Sequence, residues 1–278
     1  MQILRNGTIV KDRRLDRLPS FDEKSRNYPV RKLVAGLIPK SQMWGCTKVL
    51  DQGPDGACVG FGCTHELIAE PVPVLNLDNK FAKEKVYWEA QKKDPWPGGS
   101  YPNAEPWYEG SDVKAGLGVI KDYGYCDEFR WSFTHLDTQL GIGYEGPGIA
   151  GTSWMTGMMD VDSNGFIHAT GEDQGGHCYV YLGVNVEEKY FTILNSWGPW
   201  GIDGTGRAKL SFDDYEKLRK NQGEMAFLIG RHIIPNPQPL DPPKPDQPCL
   251  FSKGIASFHN LMYHITGRRT RLKVYRKD

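Results

Sequence analysis

The chain has 278 residues, with 34 Lys and Arg against 34 Asp and Glu, so its formal net charge is zero. A neutral chain has no general electrostatic attraction for nucleic acid or for an anionic membrane surface, and neither is expected as a partner. No apolar run approaches the ~20 residues that cross a bilayer, and the chain starts without the apolar stretch of a signal peptide. A cytoplasmic or virion-associated protein is therefore expected.

An extended, charged segment, residues 1–44, opens the chain, and helix signals dominate residues 45–145. The first predicted helix runs from Cys58 to about Glu70 and is stopped by the prolines that follow. It contains Gly60 and Gly62, each of which costs a helix interior roughly 1 kcal/mol relative to alanine. A helix that keeps both glycines is expected to pack very closely against a neighbour.

Two further helices are predicted in the same region. The second spans Phe81 to Gln91. The third has Ser111 as its N-cap and ends at Gly124, because serine and glycine are favoured at these two positions. Its apolar positions are spaced to point inward: Val113, Leu117 and Ile120.

The strongest strand signal is the alternating segment from His177 to Val184, and residues 190–195 form a second strand. The polar stretch from Asn185 to Lys189 joins them as a hairpin. In a symmetric hairpin the midpoint of positions 177 and 195 lies at 186, inside the turn. His177 and Asn195 would then be directly opposed, with Cβ atoms about 5 Å apart.

These elements predict an α+β domain over residues 45–234, with a helical half at about 45–145 and a strand-rich half at about 146–234. Residues 235–248 hold seven prolines in fourteen positions, which is typical of a semi-rigid linker. A tail, residues 249–278, is basic at its end. This tail is either a solvated face or a surface that docks onto an acidic partner or a larger assembly.

The predicted hairpin brings together the parts of a catalytic base. An asparagine oxygen that accepts the imidazole N–H of His177 fixes the tautomer and leaves the other ring nitrogen free for proton transfer. Cys58 is the matching nucleophile, since the positive end of a helix dipole lowers the pKa of a thiol at its first residue. A resting thiolate–imidazolium pair is expected, with the Cys58 N–H and the Gln52 amide holding the oxyanion.

Each of these residues, taken singly, has a simpler explanation. A lone cysteine is commonly a buried small hydrophobe, and a lone histidine on a strand is commonly structural. Cys58, Cys63 and His65 could also be considered as metal ligands, but helix residues of mixed role explain their spacing better. No metal and no organic cofactor is expected.

The joint pattern resembles the papain-like cysteine peptidases. The run Leu-Asp-Gln-Gly-Pro-Asp-Gly-Ala-Cys, which ends at Cys58, resembles the family's oxyanion-glutamine and nucleophile block, with Gln52 at the family's spacing. The Gly-His-Cys run around His177 resembles its histidine strand, and the Asn-Ser-Trp-Gly run from Asn195 matches its asparagine motif. The resemblance covers residues 40–234 and is nearer to bacterial and bacteriophage members than to secreted animal or plant ones.

This resemblance implies the papain-like two-lobed fold, in which a helical lobe and an antiparallel β lobe flank the active-site cleft. It also implies hydrolysis of peptide or amide bonds through a thioester on Cys58, with His177 as general base and acid. Asn195 would orient His177, Gln52 would hold the oxyanion, and Trp197 would shield the Asn195–His177 bond from water. An extended peptide or protein substrate would pair with three residues: Glu109, Gly110 and Ser111.

Several features depart from the family pattern. Asp55 stands where many secreted members have a cysteine, Val59 replaces a tryptophan, and Cys178 replaces a small residue. Residues 1–44 are too short for the family's usual inhibitory prosegment, although they leave room for a short strap. Two alternatives stay open: hydrolysis of cell-wall peptides, and a catalytically silent module in a larger assembly.

Overall fold

The computed structural model describes residues 2–234, so the predicted linker (235–248) and basic tail (249–278) lie outside the described residues. Only short elements precede the predicted domain. They are β1 (Gln2–Ile3), β2 (Ile9–Val10), α1 (Glu23–Arg26), α2 (Arg31–Val34) and β3 (Gln42–Met43).

The helical lobe is built around α3 (Cys58–Ile68), in which every residue is buried. A Cβ atom at Gly60 would lie 2.2 Å from the carbonyl oxygen of Ala82, and one at Gly62 would lie 2.8 Å from the Sγ of Cys178. The two glycines therefore let α3 touch a neighbouring helical segment on one side and the sheet on the other. This is the close packing that the sequence predicts.

The second predicted helix consists of two pieces, a π-helical segment (Phe81–Tyr87) that continues directly into α4 (Trp88–Lys93). The third is α5 (Val113–Asp122). Its predicted cap was wrong by one residue, because the side chain of Asp112, not that of Ser111, accepts a backbone N–H of the first turn. A carboxylate at this position also suits the helix dipole.

Seven strands and two α-helices follow along the described chain. They are β4 (Cys126–Ser132), α6 (His135–Tyr144), β5 (Gly148–Met155), β6 (Phe166–Ile167), β7 (Asp173–Asn185), β8 (Tyr190–Leu194), β9 (Arg207–Ser211), α7 (Phe212–Lys220) and β10 (Glu224–Arg231). Within residues 2–234 the sheet has eight strands in the order β4-β10-β5-β7-β8-β9-β6, with β3 paired to β7. Its pairs are antiparallel apart from β6 with β9. The helical lobe and this sheet form the α+β fold that the sequence predicts.

Strands β7 and β8 form the predicted hairpin, but in a different register from the symmetric one. A bulge lies in β7, and the last pair joins Val180 to Leu194. Position 195 therefore comes level with Tyr179 and not with His177. Because residues 177 and 179 share one face of β7, Asn195 still reaches His177 along a diagonal.

The main hydrophobic core lies against the sheet and is rich in aromatic side chains. Tyr181, Phe191 and Phe227 are all fully buried there. No helix within residues 2–234 is long and apolar enough to cross a membrane.

Candidate active site

Cys58 is the first residue of α3, and its thiol lies against the strand that carries the predicted base. The backbone N–H of Cys178, in β7, donates to the Sγ of Cys58 at 3.3 Å. The cap residue Ala57 supplies no side-chain acceptor for the first turn of α3. The amides of that turn therefore keep the capacity to bind a negatively charged oxygen.

His177 is held by Asn195 at 2.8 Å between Nε2 and the side-chain oxygen Oδ1. The same Oδ1 accepts the backbone N–H of Ser196 at 2.7 Å, which fixes the orientation of the amide group. Both His177 and Asn195 are fully buried. This arrangement places the proton of a neutral imidazole on Nε2 and leaves Nδ1 as the nitrogen that can exchange a proton with a thiol.

Two indole rings enclose the imidazole of His177. The ring centroids of Trp154 and Trp197 lie 4.8 Å and 5.1 Å from that of His177. The guanidinium carbon of Arg14 in turn lies 3.8 Å from the centroid of the Trp197 ring. Burial lowers the pKa of His177 to about 4, and the hydrogen bond to Asn195 partly opposes this effect.

Gln52 lies beside the asparagine motif, with its backbone N–H bonded to the carbonyl oxygen of Ser196 at 2.9 Å. Its side-chain oxygen accepts the hydroxyl of Ser196 at 2.7 Å. Its Nε2 therefore points the other way and donates to the carbonyl oxygens of Asp55 at 2.8 Å and Arg14 at 3.2 Å. The donor that would hold an oxyanion is thus occupied by a backbone carbonyl of the N-terminal segment.

A stretch of that segment, residues 12–18, crosses the site, and we call it the strap. The N–H of Arg17 donates to the carbonyl oxygen of Gly176 at 3.0 Å, and the N–H of Leu18 donates to that of Ser111 at 2.8 Å. The strap is therefore bonded on one side to the strand of His177 and on the other to the helical lobe. The sequence left room for such a strap but did not place it.

The strap also contacts the nucleophile. The thiol of Cys58 donates to Oδ1 of Asp16 at 2.6 Å, and both residues are fully buried. Burial raises the pKa of Asp16 to about 8. Burial, reinforced by the nearby Asp16 carboxyl, raises the pKa of Cys58 well above its usual value. In this arrangement Cys58 is a neutral thiol that donates to Asp16, and Nδ1 of the neutral His177 ring makes no hydrogen bond among the described residues. The predicted thiolate–imidazolium pair is therefore absent from it.

The predicted substrate-pairing residues line the strap. Glu109 binds the guanidinium of Arg13 at 2.7 Å, and Ser111 pairs with the strap backbone as described above. Gly110 has a φ of 104°, and a Cβ atom there would lie 3.0 Å from the carbonyl oxygen of Asp16. Glycine at this position lets an extended backbone come close to the helical lobe.

Several residues at the site were missed by the sequence analysis: Asp16, Arg17, Trp154 and Glu224. Asp16 and Arg17 lie in a segment that is charged throughout, so nothing in the pattern separates them from solvated neighbours. Trp154 contacts the ring of His177 from β5, and Glu224 binds the guanidinium of Arg17 from β10. Only the strand order brings these two residues to the site.

Within residues 2–234 no group of three or more His, Cys, Asp or Glu side chains could hold a metal ion. His65, which was considered as a ligand, is buried and accepts the backbone N–H of Leu50 at 2.8 Å. Five described cysteines are free thiols: Cys46, Cys58, Cys63, Cys126 and Cys178.

Neither a known protein family nor a curated protein sequence matches the chain. Among solved structures, xylellain, a cysteine protease from Xylella fastidiosa, is similar with a TM-score of 0.55 and 17% sequence identity. The similarity covers 81% of this chain and 99% of that chain. This likeness confirms the predicted papain-like two-lobed fold.

Weaker similarities extend to two further cysteine proteases. Procathepsin B from Trypanosoma congolense has a TM-score of 0.44 and 12% identity, over 78% of this chain and 87% of that chain. The ragweed pollen protease Amb a 11, in its proform, has a TM-score of 0.44 and 15% identity, over 73% and 70%.

Proposed function

We propose that this chain is a cysteine peptidase of the papain-like type, held in a latent form by its own strap. The observation that carries the proposal is the 2.8 Å bond between His177 and Asn195, together with a thiol at the first residue of α3 that accepts the backbone N–H of Cys178, the residue after His177. The bond assigns one imidazole nitrogen to orientation and the other to proton transfer.

The proposed reaction begins once the strap has left Cys58. The thiol gives its proton to Nδ1 of His177, and the thiolate sulfur forms a bond to the carbonyl carbon of the substrate. The carbonyl oxygen becomes an oxyanion, which accepts hydrogen bonds from the backbone N–H of Cys58 and from Nε2 of Gln52. Asn195 stabilises the imidazolium by accepting a hydrogen bond from its Nε2–H throughout.

The tetrahedral intermediate then collapses as the bond between carbon and nitrogen breaks. The imidazolium of His177 donates its Nδ1 proton to the departing amine, which leaves a thioester on Cys58. A water molecule attacks this thioester while His177 takes one of its protons. The carbon–sulfur bond then breaks, the carboxylic acid product departs, and the imidazolium of His177 returns its proton to the sulfur.

Latency follows from two contacts of the strap with the same machinery. Asp16 accepts a hydrogen bond from the thiol that must attack, and the carbonyl oxygen of Arg14 accepts one from Nε2 of Gln52. The full burial of Cys58 would also suit a catalytically silent module. However, the groups that occupy the thiol of Cys58 and the amide of Gln52 include Asp16 and Arg14, which belong to the strap and not to the core of either lobe. This favours inhibition by a segment that can be displaced.

Thiol labelling of the full-length protein tests the proposal. We define the strap-weakened chain as the full-length protein that carries Asp16→Ala and Arg17→Ala. Iodoacetamide, followed by intact mass between about pH 5 and pH 7, should modify it rapidly at one site. Adding Cys58→Ala or His177→Ala should abolish the rapid phase. Lys11→Ala, which removes only an exposed ion pair with Glu172, is the control that should label as slowly as the wild type.

Slow labelling of the strap-weakened chain that does not depend on His177 would support the silent module instead. If labelling is rapid, two assays on the strap-weakened chain distinguish the two substrate classes. Cleavage of casein supports a protein substrate, and release of soluble peptide from purified cell wall supports the cell-wall alternative.

A further inference from the structure

Cys178, the residue after His177, places its side chain against the helix that begins with the nucleophile. A Cβ atom at Gly62, one turn beyond Cys58 in α3, would lie 2.8 Å from the Sγ of Cys178. The backbone N–H of Cys178 donates to the Sγ of Cys58 at 3.3 Å. Cys58 and Cys178 are both fully buried free thiols. The nucleophile therefore has a second thiol beside it, on the strand that carries its own base.

The spacing of α3 and β7 brings a bond between these two sulfurs within reach. The N and Cα atoms of a residue are about 1.5 Å apart, so the Cα of Cys178 lies within about 5 Å of the Sγ of Cys58. In a disulfide the two Cα atoms are about 4.4–6.8 Å apart. Rotation about the Cα–Cβ bond of each cysteine moves its sulfur without moving the backbone. Side-chain rotation with little backbone movement can therefore join the two sulfurs.

The other described cysteines are placed less well for a bond to the nucleophile. Cys63 is five residues after Cys58 in the same helix, so the two side chains point about 140° apart around the helix axis. Cys46 donates to a carbonyl oxygen of its own loop. Cys126 begins β4, which is separated from β7 by two strands of the sheet. Among the described cysteines, Cys178 is thus the one suited to pair with Cys58.

We propose that Cys58 and Cys178 form a reversible disulfide, which inactivates the peptidase under oxidising conditions once the strap has left the nucleophile. The inference rests on the proposed peptidase function, since it needs a Cys58 thiol that the strap can uncover. The bond is a modification site on the catalytic sulfur itself. It depends on a cysteine at a position where the papain-like pattern has a small residue.

The oxidant in this proposal is a hydroperoxide, and the reaction has two steps. In the first, the sulfur of Cys58 attacks one peroxide oxygen, a sulfur–oxygen bond forms and the oxygen–oxygen bond breaks. The thiol proton ends on the departing oxygen, which leaves as an alcohol, or as water when the oxidant is hydrogen peroxide. In the second, the sulfur of Cys178 attacks the sulfenic acid, a sulfur–sulfur bond forms and the sulfur–oxygen bond breaks. The hydroxide takes the proton of Cys178 and leaves as water.

The second thiol changes what oxidation does to the nucleophile. A sulfenic acid without a neighbouring thiol is oxidised further to a sulfinic acid, which thiol reductants do not reverse, whereas a disulfide is reduced by thiol exchange. The seated strap stops the sequence before its first step, because Cys58 is then fully buried and donates to Asp16. The switch therefore acts on the uncovered form of the protein.

Peroxide treatment of the full-length strap-weakened chain tests the proposal. Intact mass without reductant should show a product lighter by two hydrogen atoms, and peptide mapping should join Cys58 to Cys178. Iodoacetamide should then no longer label Cys58, and dithiothreitol should restore rapid labelling. The wild type, with its strap seated, should be oxidised much more slowly. A bond from Cys58 to any other cysteine, Cys249 included, or a product in which Cys58 stays free, would overturn the proposal.

Two matched variants of the strap-weakened chain separate the roles of the thiols. Cys178→Ala removes the second thiol and keeps the backbone N–H, so excess peroxide should add oxygen atoms to Cys58 that dithiothreitol does not remove. Burial, followed by the nearby Cys63 thiol, raises the pKa of Cys178 well above its usual value, so Cys63 is the neighbour to compare. Cys63→Ala should still form the reversible bond. Full recovery of Cys178→Ala with dithiothreitol would show that Cys178 has no role.

The two proposals fail in different ways. If Cys58 of the strap-weakened chain labels rapidly but peroxide forms no bond to Cys178, the peptidase function stands and the disulfide is overturned. If Cys58 labels slowly in that chain and independently of His177, the peptidase function falls and the disulfide with it.

Discussion

The carboxyl oxygen Oδ1 of Asp16 lies 2.6 Å from the Sγ of Cys58, so the thiol gives its hydrogen bond to the strap. The acid that holds the nucleophile is itself fully buried, between Cys58, the side chain of Tyr87 and the carboxyl of Glu109. A buried carboxyl in such surroundings is favoured in its neutral form, because burial penalises the charge and a second carboxyl adds repulsion.

The first prediction concerns the pH dependence of strap release. The pKa of Asp16 is raised from 3.8 to about 8 when the strap is seated. The seated state therefore binds a proton that the released state loses, and its stability declines as the pH rises through about 8. We expect the strap to be most firmly seated in acid and to be released increasingly up to about pH 8.

Hydrogen exchange measures this release directly, at the amides of Arg17 and Leu18. These two amides donate to Gly176 and Ser111, so they exchange only when the strap lifts. Dividing the protection of the wild type by that of Asp16→Asn cancels the intrinsic effect of pH on exchange. The ratio should fall as the pH rises, and a ratio that stays level would contradict a titrating Asp16.

Much of the site could be predicted because the decisive residues belong to local motifs. Gln52 and Cys58 lie in one loop and the helix start that follows it, and His177 and Asn195 flank one hairpin. Such short-range patterns determine which strand and which helix carry each group. Even so, the diagonal geometry of His177 and Asn195 depended on a bulge in β7, which the sequence does not mark.

The buried contacts of the strap could not be predicted for a different reason. Asp16 meets Cys58 across 42 positions of sequence, and Arg17 meets Glu224 across 207. Burial of these charged residues is a tertiary effect, whereas charged residues in an extended segment are usually solvated. The predicted thiolate–imidazolium pair was absent from the seated state for the same reason, since it assumed a cleft open to solvent.

The second prediction concerns Asn195, whose oxygen orients the catalytic imidazole. In the strap-weakened chain, Asn195→Ala should lower kcat by about 10²-fold, at the low end of what a positioned acid–base group contributes. The change frees the His177 ring to rotate and leaves KM close to its former value. Steady-state kinetics measure both constants. A rise in KM with an unchanged kcat would show that Asn195 acts on substrate binding instead.

The third prediction concerns Gln52 as an oxyanion donor. Gln52→Ala in the strap-weakened chain should lower kcat by about 10²- to 10³-fold, as loss of one such donor does. Iodoacetamide labelling of Cys58 forms no oxyanion, so its rate should remain within a few fold of the parent chain. A parallel loss of labelling and turnover would indicate that Gln52 instead supports the loop before Cys58.

The fourth prediction concerns Gly60, the glycine at which α3 packs against the π-helical segment. At Gly60 a Cβ atom would lie 2.2 Å from the carbonyl oxygen of Ala82 and 2.6 Å from the Cβ of Tyr87. Both are close to the backbone and cannot rotate away, so Gly60→Ala must push α3 from the π-helical segment. We expect a loss of about 1–3 kcal/mol in the free energy of unfolding, the usual cost of overpacking.

Gly118, in α5, is the matched control because a Cβ atom there would meet nothing within 4 Å. Gly118→Ala should instead raise the free energy of unfolding by about 0.5–1 kcal/mol, since alanine restricts the unfolded chain and favours the helix. Urea denaturation of both full-length variants measures the two changes. Equal effects of the two substitutions would mean that α3 can shift without cost. The position of Cys58 would then depend on the strap and β7 rather than on the packing of its own helix.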